Sequence, residues 1–154
     1  DSSCQSIAQK IISACHAGGT KNHLNEGYLL LTATSTEESE ALAKDLLEKA
    51  SVRHEKIKEV ASEIEQRLGE DAIVFEGDEF WPVLILGPAA SRLVQSQKKP
   101  IFLYNYKNGF CQGAVRTPQG IDGVKAMSHC SKLLELYGGH PQAGGFKVKE
   151  KKNK

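Results

Sequence analysis

Near the C-terminus, Gly138-Gly139-His140-Pro141-Gln142-Ala143-Gly144-Gly145-Phe146 gathers four glycines and a histidine into nine residues. Glycine gives up side-chain contacts and costs backbone entropy, so such a cluster implies unusual dihedrals or a ligand held close to the main chain. Adjacent glycines can turn successive N–H groups toward one point, a concavity suited to phosphate oxygens. An imidazole in the same segment adds a donor whose charge changes near neutrality. The segment therefore reads as an anion site, with Gly138, Gly139, His140 and Gln142 as candidate contacts. A helix C-cap followed by a turn would account for Gly138 alone, not for the other glycines.

A second donor is Arg116, at the end of Gly113-Ala114-Val115-Arg116-Thr117, where a strand feeds the Pro118-Gln119-Gly120 turn. Ligands of α/β sheets gather at such strand ends, and a guanidinium offers a planar fork of donors matched to phosphate. Thr117 adds a hydroxyl that serves either a ligand or the turn. The only tryptophan, Trp81, precedes an apolar helix, where packing is a better default than base stacking. Ser91 and Arg92 follow on that helix, as further contacts or as decoration of its exposed face.

Other chemistries fare worse. The remaining histidines, His16, His23, His54 and His129, share no ligand spacing with one another or with carboxylates. Cys111 and His140 could be imagined as nucleophile and base, but nothing in the sequence orients them. The aspartates Asp1, Asp45, Asp71, Asp78 and Asp122 are scattered. Two-metal phosphoryl hydrolysis needs several carboxylates and imidazoles converging on ions about 3.5–4 Å apart. No such metal centre is expected here, and no catalytic residue is assigned.

At 154 residues with a net charge of +1, the chain can bury one core and has no global basic field. Glutamates concentrate in residues 35–70, whereas lysines and arginines prevail from Arg92 onward, so a polyanion site belongs in the C-terminal part. Cys4, Cys15, Cys111 and Cys130 form no C-x-x-C pair. Reduced, mostly packed thiols in a cytoplasmic protein fit that spacing better than zinc or a disulfide framework. No apolar run approaches the ~20 residues that span a bilayer. A chain opening at Asp1 instead of methionine is read as a segment of something longer.

The elements that must position these groups follow from periodicity. Residues 1–34 form a partial unit too small to hold its own core, with Ile7, Ile11 and Ile12 on an amphipathic stretch. Ser35 and Glu38 make a capping box opening a helix over 35–69, its apolar residues recurring at three and four and Gly69 stopping it. At about 33 residues and 1.5 Å each, it would span about 50 Å and act as a connecting rod. Over 70–149 the pattern predicts a strand at 72–75, a helix at 83–97, strands at 100–104 and 110–116 joined by Asn108-Gly109, a helix from Asp122 to Tyr137, and a strand at 145–149. That helix would turn Met127, Leu133, Leu134 and Tyr137 to the core and end at Gly138. The fold class is α/β, a mixed β-sheet flanked by helices and preceded by a long helix. Residues 150–154 read as a basic, disordered tail.

Taken together, these segments resemble the C-terminal part of a RecJ-type single-strand-specific exonuclease of the DHH phosphoesterase superfamily. The glycine segment is similar to that superfamily's G-G-H-x-x-A-A-G-F signature at Gly138, Gly139, His140, Ala143, Gly145 and Phe146, with Gly144 in place of the second alanine. Trp81 to Leu93 resembles W-H-P-G-V-I-G-I-V-A-S-R-L at Trp81, Ile85, Gly87, Ala90, Ser91, Arg92 and Leu93, while Pro82 and Leu84 replace the histidine and first glycine. Gly113 to Thr117 is similar to G-S-x-R-S, and His16 to Thr20 faintly to N-A-x-G-R with both polar ends changed. The resemblance implies that 1–34 is a remnant of a catalytic DHH domain, 35–69 the connecting helix and 70–149 the DHH-associated domain. It further implies that the Mn- or Mg-dependent catalytic cluster lies in the rest of a longer protein, that Arg116 and His140 grip a substrate backbone, and that the activity is an exonuclease of DNA repair. The expected partners are single-stranded nucleic acid and the protein's own catalytic domain, with no membrane. Two alternatives remain open: a protein-interaction or scaffold module with an unused glycine segment, and the substrate domain of an oligoribonuclease or cyclic-dinucleotide phosphodiesterase.

Overall fold

The computed structural model describes residues 3–21, 23–107 and 109–149, and of these all but the side chains of Lys21 and Lys149. The anticipated basic tail at 150–154 and Asn108 of the hairpin signal lie outside the described residues. The chain divides into two compact units, 1–56 and 57–154.

The first unit holds α1 (Cys4–Ala17), the two-residue strands β1 (Thr20–Lys21) and β2 (Leu24–Asn25), α2 (Glu26–Thr32) and the opening of α3 (Thr36–Arg67). Ser35 caps α3 by accepting from the Glu38 N–H at 3.1 Å, as the capping box requires. Ala14 and Leu46 are this unit's buried hydrophobic residues among those described, while Ile7, Ile11 and Ile12 are exposed. What little core it has is organised by a buried carboxylate. Glu26 accepts from the Gly19 N–H at 2.7 Å and pairs with Lys49 Nζ at 2.7 Å. Hydrogen bonds to Asp45 and Glu26 hold the Lys49 ammonium above the usual lysine range.

The second unit carries the sheet. Its strands are β3 (Val74–Gly77), β4 (Ile101–Lys107), β5 (Phe110–Arg116), β6 (Leu136–His140) and β7 (Ala143–Lys149), in the order β3-β4-β5-β7-β6. β3 and β4 are parallel, and every other neighbour pair is antiparallel. The mixed sheet is the expected α/β class. Between β3 and β4 runs α4 (Val83–Gln97), with Pro82 at its N-cap and Lys98 in the left-handed conformation at its C-cap. The Asn105 side-chain amide donates to the carbonyls of Asp78, Glu79 and Trp81, pinning the connection into α4.

Side chains alternate across a sheet, and the two faces are covered differently. On one face Ile101 and Leu103 pack beneath Leu86, Ala89, Ala90 and Leu93 of α4, with Val60, Ala61 and Ile64 from the end of α3. Trp81 is buried in this cluster, where Arg67 lies 5.5 Å from its ring centre, so packing is its role. On the other face Val115 and Phe146 pack under Met127 of α5 (Gly123–His129).

Several expectations are corrected. The helix predicted to reach Tyr137 stops at His129, followed by a 3-10 turn at Ser131–Leu133, and Tyr137 and Gly138 lie in β6. The leucine spacing imitates a helix, but pairing with β7 outweighs it, and Leu133 is 64% exposed where the core was expected. The predicted strand at 72–75 runs over 74–77, with Phe75 exposed at the sheet edge. Among the described residues no disulfide joins the cysteines, and they are not packed inside as expected, since Cys4 and Cys130 are exposed and Cys15 and Cys111 half-buried.

Leu86 is fully buried between α4 and the sheet. Leu86→Ala should lower unfolding free energy by about 2–5 kcal/mol in urea denaturation; a loss below 1 kcal/mol would show that this cluster does not carry the fold.

Candidate nucleic-acid interface

The glycine segment is a β-hairpin, not a loop after a helix. His140 pairs with Ala143, leaving Pro141 and Gln142 as the turn. This corrects the expected concavity of adjacent glycine N–H groups, because successive N–H groups of an extended strand point to opposite sides. Gly139, with φ of +131°, has a Cβ position 2.5 Å from the Ala143 carbonyl oxygen, so the hairpin itself demands glycine there.

The register decides what meets what. Ala143 pairs with Arg116 on one side and with His140 on the other. Cross-strand partners share a face, so Arg116, Ala143 and His140 form one row, with the outer Cα atoms two strand spacings, about 10 Å, apart. The next row is Ala114, Gly145 and Gly138. Ala114 approaches Gly87, which places both rows on the face that carries α4. That helix packs on β4 and β5, while His140 is exposed and Gly138, Ala143 and Gly145 are half-buried. A Cβ at Gly138 would meet nothing within 4 Å. The result is a shallow floor of backbone and small residues with a cationic side chain at one edge and an imidazole at the other.

Arg116 is fixed from several sides. Its Nε donates to Ser91 Oγ at 3.1 Å, and Nη1 donates to the carbonyls of Val115 at 2.8 Å and Gly144 at 3.4 Å. Nη2 has no hydrogen-bond partner among the described residues, and it lies against Gly87, where a Cβ would stand 2.7 Å away. Partial burial pushes the guanidinium pKa below its usual value, although arginine stays charged at any physiological pH. A half-desolvated cation with one free arm beside an open floor is suited to an anionic oxygen.

Of the other candidates, Ser91 positions Arg116. Thr117 is buried, its hydroxyl donating to the Ile121 carbonyl at 2.6 Å and its N–H to the Gln142 carbonyl at 3.2 Å, so it serves the turn. Gln142 is exposed at the hairpin tip, and Arg92, exposed on α4, is not brought into the row. Cys111 and His140 sit at opposite ends of the sheet rows, which leaves no nucleophile–base pair. Sequence reasoning missed Gly87. Its spacing of four from Ser91 placed both on one helix face and was the available signal.

A mixed sheet bearing an arginine and a glycine–histidine hairpin on one face marks an α/β domain of the DHHA1 class. The chain belongs to the DHHA1 domain family, whose model matches residues 70–154. It is similar to the single-stranded-DNA-specific exonuclease RecJ of Bacillus subtilis, 22% identical over 151 residues that are 94% of this chain and 19% of that protein. To RecJ of Thermus thermophilus it is 35% identical over 66 residues, 43% of this chain and 9% of that one. Crystal structures agree. Thermus thermophilus RecJ in complex with Mn2+ superposes with a TM-score of 0.78 at 25% identity, over 94% of this chain and 21% of its own. An exonuclease RecJ bound to manganese gives 0.76 at 26%, over 94% and 36%. The chain thus spans about a fifth of the length of the Bacillus subtilis relative. Among the described residues no group of three His, Cys, Asp or Glu side chains could hold a metal ion, and no helix is long and apolar enough to cross a membrane.

Gly87→Ala improves intrinsic helix propensity by about 1 kcal/mol but drives a methyl group into the Arg116 arm. It should leave the melting temperature level or higher while weakening any anion binding at Arg116, as read by oligonucleotide titration. Unchanged binding would mean that the guanidinium does not need the gap.

Proposed function

We propose that this chain is the substrate-gripping part of a RecJ-like single-strand-specific exonuclease, holding the phosphate backbone of single-stranded nucleic acid in the cytoplasm. The observation that carries the proposal is the Arg116–Ala143–His140 row, with its unengaged Nη2 at one edge and a floor of glycine and alanine between. A strand laid across Gly138 and Gly145 brings a phosphate within reach of Arg116 and His140, and the missing side chains let sugar and backbone approach closely. The named activity of the similar RecJ proteins gives the substrate class.

Chemistry is assigned to a catalytic domain outside these 154 residues, one that binds Mn or Mg. The described residues do not fit such a metal, and no bond-breaking step is derived from them. Their contribution is positioning and charge neutralisation, which place a scissile bond before the reacting groups act on it.

Arg116→Ala and His140→Ala should weaken binding of a labelled single-stranded oligonucleotide at low salt, the arginine change by roughly tenfold or more. Because each phosphate contact contributes about 0.7 to the salt slope on single strands, Arg116→Ala should flatten that slope by about this amount. Gly138→Ala should bind worse at unchanged melting temperature, since the added methyl stands on the floor and meets no protein atom within 4 Å. Parental affinity in all three variants, or no oligonucleotide binding by the parent at low salt, would overturn the assignment in favour of a scaffold module.

A further inference from the structure

The open face does not end at the glycine floor. Along β5, β7 and β6 its rows continue to Gln112, Lys147 and Leu136, and then to Phe110. At that far end Lys147 Nζ stands 4.4 Å from the centre of the Phe110 ring, within cation–π range. Lys107, the cross-strand partner of Phe110, stands on the same face. Six residue steps of β5 separate Phe110 from Arg116, about 20 Å at 3.4 Å each.

Resting on the reading of the Arg116 row as a backbone grip, we propose that the Phe110–Lys147 end of this face is a second subsite for the same single strand. A nucleobase stacks on Phe110, while Lys147 and Lys107 on the same face meet the flanking phosphates. Lys147 also pairs with Glu135 at 3.5 Å, both side chains well exposed, and so open an ion pair yields readily to a phosphate. Stacking on aromatic faces next to a cationic groove is how single strands are held without sequence preference.

The test is a titration of the 154-residue chain with fluorescent oligodeoxycytidylates of about three and about twelve nucleotides, below and within the span of common single-strand sites. The parent should bind the longer one more tightly. Phe110→Leu and Lys147→Gln should each cost roughly tenfold on the longer oligonucleotide and leave the shorter one at parental affinity, whereas Arg116→Ala weakens both. Should Phe110→Leu melt early, Lys147→Gln, at an exposed side chain, carries the comparison. Equal affinity of the parent for both lengths, or parental affinity of both variants for the longer one, overturns the second subsite. An Arg116→Ala variant with parental affinity for the short oligonucleotide overturns the grip instead, and the length increment still judges the subsite separately.

Discussion

Arg116 holds its guanidinium against three protein oxygens, Ser91 Oγ and the carbonyls of Val115 and Gly144, with Nη2 beside Gly87. Hydrogen bonds to a charged group contribute more than neutral ones, and here they also remove the rotamer freedom a long side chain would lose on meeting a ligand. A strand, a helix and a hairpin must all be in place for those contacts to form. Disturb any of them and the guanidinium loses a partner that holds it beside the floor.

The sheet supplies the rest through alternation. Antiparallel pairing of β5, β7 and β6 turns Arg116 and His140 to the same side and puts Ala143, Gly138 and Gly145 between them. The opposite side of the same strands sends Val115, Phe146 and Tyr137 into the cluster under α5. One set of strands therefore builds a core with its odd rows and an open surface with its even ones. Thr117 and Gly123 bind the hairpin tip from behind through the Gln142 and Pro141 carbonyls, so the tip is anchored without spending a side chain of the open face. This arrangement explains why a segment so poor in side chains can still be well placed.

Much of this was legible in the chain. Val83–Gln97 and Phe110–Arg116 occupy the spans their apolar spacing predicts, because each pattern is local and bounded by a proline or a turn. The Ser35 cap was equally local. β6 was not legible: Leu133, Leu134 and Tyr137 carry helical spacing, and what makes Leu136–His140 a strand is a pairing with β7, which no local periodicity records. Arg116 and His140 were singled out from residue type and position, but the reason they share a row is register, again non-local. Gly87 reads as a helix weakness until the guanidinium from another element is seen against it.

The central claim is that single-stranded nucleic acid lies across this floor between Arg116 and His140. Chemical-shift mapping of the isotope-labelled chain with a short single-stranded oligonucleotide addresses it directly. The account predicts that the Arg116 side-chain N–H signals and the amides of Gly138, His140, Ala143 and Gly145 move together and saturate at one concentration. Shifts confined to other surfaces, with these signals still, would contradict it.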